Sequence, residues 1–150
     1  MAYEKTLRLD EQICFALYAA TNAVTRAYRP LLAEIQLTYP QYLVMMVLWQ
    51  DRRSTSRSIA ERLQLSANAV SPLLDRLEDA GFIRRLRDRR DRRVVHIALT
   101  EQGSALEAAA SKAQHAVLCR TGLDPDAHHR LRDDLAALAV HMTAEPEVID

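Results

Sequence analysis

Apolar residues recur along this chain with two different periods. Ile13, Leu17, Ala20, Val24 and Leu31 follow helical spacing and predict a first helix from about Asp10 to Glu34. Asp10 is its expected N-cap, and Pro30, late in the pattern, predicts a kink or an early stop. Leu37-Thr38-Tyr39-Pro40 breaks the pattern, with Thr38 or Tyr39 ahead of a new helix and Pro40 near its first position. Tyr42 to Trp49 is strongly apolar, so this second helix is expected to be buried. A short helix follows within Ser54 to Leu65, with Ile59, Ala60 and Leu63 inward. Gln64-Leu65-Ser66 is then a tight turn, and Ser66 is a good N-cap for another helix. There Val70, Leu73, Leu74 and Leu77 obey the i, i+3, i+4, i+7 rule, and Gly81 ends the helix as a C′ glycine. The opposite face presents Asn68, Ser71, Pro72 and Asp75.

The period then drops to two. Phe82 to Arg87 reads as a short strand, Asp88 to Arg92 as a polar turn, and Val95, Ile97 and Leu99 alternate as a half-buried strand does. Together they predict one β-hairpin with an arginine-rich tip. Thr100 is expected to cap a long helix with Leu106, Ala110, Ala113 and Val117 on one face. Asp124 as N-cap and Pro125 at N1 open a last helix with the apolar stripe Leu131, Leu135, Leu138 and Met142. Helix, short turn, helix, hairpin is the winged helix-turn-helix plan. The expected fold is therefore mainly α with a small β-hairpin wing. The boundaries fall at 1–35, an N-terminal helix, at 36–99, the winged lobe that in this plan binds DNA, and at 100–150, C-terminal helices; the flanking helices are free for dimerisation.

A chain of 150 residues suits one compact domain, or one wrapped by its own dimerisation helices. The longest apolar run is too short to span a bilayer, and Met1–Thr6 has no apolar signal core. The expectation is a cytoplasmic protein with no membrane partner, where two cysteines are a poor structural staple. Charge changes the picture more. The net charge is zero, yet residues 51–100 hold 12 Arg against 7 acidic residues. Seven of the 18 arginines fall between Arg84 and Arg93. Guanidinium groups donate a planar fork to phosphates and guanine edges, so a basic centre in a neutral chain points to a local polyanion site or to a solvated charged face. A non-specific nucleoid protein fits poorly, since such affinity grows with the number of phosphates neutralised.

In the winged plan the second helix of the pair enters the major groove, and its first turn reaches base edges. Ser66, Asn68 and Ser71 can donate and accept there, Asn being suited to adenine. Arg76 lies to one side, within reach of a phosphate or a base. The hairpin would carry its arginines, among them Arg90 and Arg92, to an adjacent minor groove. Asp91-Arg92-Arg93-Val94-Val95-His96-Ile97-Ala98-Leu99-Thr100 resembles the wing signature of the MarR family of transcription regulators, and Leu74 to Ile83 resembles its recognition-helix exit. The likeness covers nearly the whole chain. It implies a homodimer on a palindromic operator in duplex DNA, with Arg93 in the minor groove and Asp91 orienting the wing. The plainer role for Arg93 is a hairpin stabilised by an ion pair to Asp91.

Leu9 to Tyr18, Tyr28 to Leu32 and Leu37 to Leu43 resemble the organic-hydroperoxide-sensing, OhrR-type branch of that family. The resemblance implies that Cys14 is the peroxide-reactive thiol. Tyr28 and Tyr39 would hydrogen-bond to it from the partner subunit, and Tyr18 matches a tyrosine of part of the branch. A second cysteine, here Cys119, resolves the sulfenic acid by an inter-subunit disulfide in the branch's two-cysteine group. The chemistry agrees: the thiolate is the attacking species, and the first turn of a helix favours an anion. Ile13, Phe15, Leu17, Val24, Leu43 and Met46 are candidates for an apolar pocket that would favour an alkyl hydroperoxide as inducer. The bland alternative is that Cys14 is a small buried hydrophobe and Cys119 an ordinary helix residue. His115 and Cys119 stand at i, i+4, but one such pair does not make a metal site, so no metal or cofactor is expected. Two rival functions remain: a regulator released by a small aromatic ligand, and a thiol peroxidase, whose usual acid–base machinery is missing.

Overall fold

The computed structural model describes residues 7–144, which fall into two compact units, one up to His115 and one from Ala116 onward. Seven helices and three strands follow in the order α1 (Ile13–Ala33), α2 (Tyr39–Asp51), β1 (Arg53–Thr55), α3 (Ser56–Leu63), α4 (Ala67–Asp79), β2 (Ile83–Arg87), β3 (Val95–Leu99), α5 (Glu101–Ala105), α6 (Glu107–Arg120) and α7 (Pro125–Thr143). The strands form one antiparallel sheet in the order β1-β3-β2.

Most helix boundaries follow from local chemistry. Thr38 caps α2 in a capping box: its hydroxyl accepts from the Gln41 amide while the Gln41 side chain accepts from the Thr38 amide. Thr55, Ser66, Thr100 and Asp124 each accept from the amide three residues on, capping α3, α4, α5 and α7. Gly81 takes φ +82° just past α4, a conformation that strains a residue with a Cβ. The first unit is built on α2, in which Tyr42, Val44, Met45 and Leu48 are fully enclosed. Ile59 of α3, Val70, Leu74 and Leu77 of α4, and Phe82, Ile83 and Ile97 of the hairpin are buried with them, as are Leu32 of α1 and Trp49 of α2. Leu63 and Leu73, expected inward, are only partly covered.

Four expectations need correction. Asp10 does not cap the first helix; Leu9–Glu11 forms a 3₁₀ turn and Gln12 occupies the cap position. Pro30 does not stop α1 early: it sits in the last turn and the helix runs on to Ala33. The hairpin is not alone: Arg53, Ser54 and Thr55 pair with Ala98, Ile97 and His96 as a third strand. Three residues cannot display alternation, so the pattern gives no sign of this strand and assigns Ser54 and Thr55 to the helix segment that follows. The long helix after Thr100 is broken at Leu106. The Gly103 carbonyl accepts from the buried Trp49 indole at 3.0 Å and from the Leu106 amide at 3.3 Å, a contact three residues on rather than four.

In the second unit Val117 is buried, while no residue of α7 is. Its expected stripe is largely in solvent, with Leu131, Leu135 and Met142 all exposed. No helix among the described residues is long and apolar enough to cross a membrane.

Candidate functional site

α3 and α4 form the helix-turn-helix. Gln64, at φ +55°, makes the turn between them, and its amide bonds the Glu61 carbonyl. α4 divides along its length: Val70, Leu74 and Leu77 anchor it, while Asn68, Ser71 and Arg76 are exposed. Ser66 is exposed too; its oxygen accepts from the Ala69 amide at 3.2 Å, which leaves the hydroxyl hydrogen and one lone pair for an outside partner. The helix therefore offers a polar first turn on a rigid apolar mount, as major-groove reading requires.

The wing loop is tied by two carboxylates. Asp88 accepts from the Arg90 amide at 2.7 Å, from the Asp91 amide at 3.1 Å and from His96 Nε2 at 2.9 Å. The His96 bond first, then the two amides, hold its carboxyl down to about 2. Asp91 accepts from the Arg93 amide at 3.0 Å and from the Arg93 guanidinium at 3.1 and 3.3 Å. Those bonds, the side-chain one foremost, lower the Asp91 carboxyl below its ordinary range. Arg93 itself stays 91% exposed. The ion pair expected as the plainer role thus exists, and it leaves the guanidinium at the surface with its remaining donors facing out. Arg90 and Arg92 are exposed at the same tip.

Between the helix pair and the wing runs a groove of about 880 Å³, with Arg57, Ala60 and Glu61 of α3 and Ala67, Val70 and Ser71 of α4 on one side and Arg93, Val94 and Val95 on the other. Sequence reasoning missed two contacts here. Asp88–His96 was hidden because the partners lie eight residues apart across a turn of unknown shape. Arg85 was counted only among the arginines, whereas it binds Asp75 and Glu78 of α4 at 2.6 and 3.0 Å. The signal available was the i, i+3 spacing of those two acids on one helical face.

The proposed thiol site is less complete within one chain. Cys14 lies in the first turn of α1 and is exposed, and Cys119 is exposed near the end of α6. Tyr28, Tyr39 and Tyr42 form an aromatic cluster with ring centroids 5.2, 5.4 and 5.9 Å apart. Burial pushes all three phenols above their ordinary value, and a hydrogen bond links Tyr28 to Tyr42. Fourteen residues separate Cys14 from Tyr28 on one helix, a rise of about 21 Å, so the same chain cannot bring them together. Tyr18 is exposed. The apolar pocket expected around Cys14 is not closed by this chain: Ile13, Phe15 and Val24 are exposed, because no α1 residue before Tyr28 is buried. Among the described residues no group of three or more His, Cys, Asp or Glu could hold a metal ion.

This geometry has relatives. The MarR family model matches residues 37–95. The chain is 47% identical over 130 residues to the HTH-type transcriptional regulator TtmR of Methylorubrum extorquens, covering 87% of this chain and 67% of that protein. It is 41% identical over 101 residues to the organic hydroperoxide resistance transcriptional regulator of Bacillus subtilis, covering 67% and 69%. AbfR of Staphylococcus epidermidis superposes with a TM-score of 0.76 at 32% identity, over 91% of this chain and 94% of that one. AbfR has also been solved reduced on DNA and in a disulfide form. The helix pair with its polar outer face, the arginine-tipped wing and these matches agree: the chain belongs to the MarR family of DNA-binding transcriptional regulators.

Proposed function

We propose that this chain is a repressor that binds a palindromic operator as a homodimer and leaves it when an organic hydroperoxide oxidises Cys14. The observation that carries the reading is an exposed cysteine in the first turn of α1, in a chain 41% identical to an organic hydroperoxide resistance regulator. Asn68, Ser71, Ser66 and Arg76 read the major groove, while Arg93, oriented by Asp91 and flanked by Arg90 and Arg92, enters the minor groove. The exposed apolar residues of α1 and α7 support dimerisation through those helices. So does the 14-residue separation of Cys14 from Tyr28: Tyr28, and Tyr39 packed against it, can reach the sulfur only from a second copy.

The Cys14 thiolate attacks the terminal peroxide oxygen, the O–O bond breaks, and the alkoxide leaves with a proton as the alcohol. Cysteine is oxidised to sulfenic acid and the hydroperoxide is reduced. Tyr28 and Tyr39, whose phenols burial keeps protonated, are suited to donate to the sulfur anion, with Tyr18 beside them. The Cys119 thiol of the partner then attacks the sulfenic sulfur, forming an inter-subunit disulfide and releasing water. Moving helix ends to close that bond would shift the two DNA-binding lobes off a spacing of about 34 Å between half-sites. The disulfide form of AbfR supports this last step by analogy.

The test is a non-reducing gel paired with a DNA gel shift after one equivalent of organic hydroperoxide. The parent should give a covalent dimer and release DNA. Cys14→Ser should bind DNA and ignore the oxidant, and Cys119→Ser should give no covalent dimer. Release of Cys14→Ser by peroxide would end the redox reading and leave a small-ligand regulator. Repeated turnover of hydroperoxide with a reductant would instead make the chain a thiol peroxidase.

A further inference from the structure

The recognition helix and the wing meet only at their base. Phe82 and Ile83, where α4 hands over to β2, are buried, but no side chain from residue 84 to residue 96 is. Beyond Ile83 a groove bounded by α3 as well as α4 opens between the helix pair and the wing, and no buried side chain joins β2 to α4 there, while β3 is held on its other edge by β1. The Arg85 side chain spans that gap. Nη2 donates to Asp75 Oδ1 at 2.6 Å and Nη1 to Glu78 Oε1 at 3.0 Å, while the Arg85 amide donates to Glu78 Oε2 at 2.9 Å. Asp75 and Glu78 stand one turn apart on the same face of α4, and Arg85 sits mid-strand opposite Ile97. A planar guanidinium with its two terminal nitrogens on two carboxylates resists rotation in a way that a single contact cannot.

We infer that the Arg85 bridge to Asp75 and Glu78 is the positioning device that sets the wing against the recognition helix, so that both grooves of the operator are engaged in one register. The inference rests on the reading that α4 and the wing each touch DNA. Arg85 is then a positioning residue rather than a DNA contact: both terminal nitrogens are already held by acids of its own lobe.

The decisive variant removes the acids rather than the arginine. Two carboxylates on a DNA-facing lobe repel phosphates, so Asp75→Asn/Glu78→Gln should tighten binding on electrostatic grounds alone, all the more because it frees Arg85 for DNA. If the bridge positions the wing, the same variant binds about tenfold more weakly, the scale of one lost groove contact. The probe is a duplex that the parent protein selects from a random-sequence pool. Hydroxyl-radical footprinting reports the minor groove under the wing, and guanine N7 methylation protection reports the major groove under α4. The expected result is weaker binding, loss of minor-groove protection and retention of N7 protection, with the protein still folded by circular dichroism. Arg85→Lys keeps the charge but not the fork, and should show a smaller loss of the same kind. Unchanged or tighter binding by the acid-free variant overturns the inference, as does a footprint in which both protections fade together. If the parent itself gives no minor-groove protection, the wing-contact reading fails first and the bridge has nothing to position.

Discussion

Gly103 is the residue at which a single methyl group should do most damage. A Cβ built there would overlap the carbonyl oxygen of Phe82, and would lie 2.9 Å from its carbonyl carbon and 3.2 Å from its Cα. All three are backbone atoms, so the strain cannot be relieved by rotating a side chain. The Gly103 carbonyl also accepts the buried Trp49 indole at 3.0 Å. Overpacking of this kind costs about 1–3 kcal/mol. A displaced carbonyl leaves the indole unsatisfied, at about 1–3 kcal/mol more. Alanine's better helix propensity returns about 1 kcal/mol. Gly103→Ala should therefore lose about 1–5 kcal/mol, against the roughly 5–15 kcal/mol that holds a typical domain together. Gly122 is the control: it has φ +68° but nothing within 4 Å of an added Cβ, so its alanine variant pays only the backbone term of about 1 kcal/mol. Urea unfolding of both variants at one protein concentration, followed by Trp49 fluorescence, measures the difference. A Gly103→Ala protein as stable as Gly122→Ala would refute the claim that the Phe82 backbone cannot move.

Arg93→Ala should cost roughly 1–3 kcal/mol of operator affinity without shifting the melting transition, since the exposed pair with Asp91 contributes little to stability; full-strength binding would reduce Arg93 to a hairpin ion pair. Operator affinity of a dimer making six or more phosphate contacts should fall by on the order of 10³ between 50 and 200 mM salt, and a flat response would remove the arginine-rich lobe from the interface. The Asp88 carboxyl is held at about 2 in the folded wing against an ordinary 3.8, so its hold on the loop is present above about pH 4 and lost as pH falls through about 2. The Arg90 and Asp91 amide resonances should follow that lower midpoint, and a midpoint near 4 would mean the carboxylate is not bonded as described. Tyr28, Tyr39 and Tyr42 have raised phenol values, so the stability held by their neutral forms is fully present below pH 10 and is lost progressively as pH rises from there through the raised folded values. Unfolding free energy should drop above pH 10, and ionisation of these phenols at their ordinary value in a still-folded protein would contradict their burial.

How much of this was legible beforehand depends on the range of the interaction. Thr38, Ser66, Thr100 and Asp124 announce their helices because a cap reaches an amide only three residues away, inside any reading window. Val70, Leu74 and Leu77 announce the buried face of α4 because helical geometry alone puts them together. The wing signature at Asp91 and Arg93 is local too, and the ion pair it suggests is present. Strand β1 was invisible, since three residues have no period and their partners at 96–98 lie some forty positions on. The break at Leu106 needed Trp49, 54 residues before Gly103, to take a carbonyl from the helix ladder. Asp75 stands in the sequence only on the polar face of α4 and Glu78 only in the stretch that leaves it, and their partner appears once the chain reversal at Gly81 carries Arg85 back over them. The sequence by itself determined which residues form helices, which face of each is apolar, and where a thiol and a set of arginines stand along the chain. Only the tertiary structure decided which charges meet and which apolar faces stay uncovered. Those outcomes depend on closing the chain upon itself rather than on any local preference, whereas the distance from Cys14 to Tyr28 follows from the rise of a single helix.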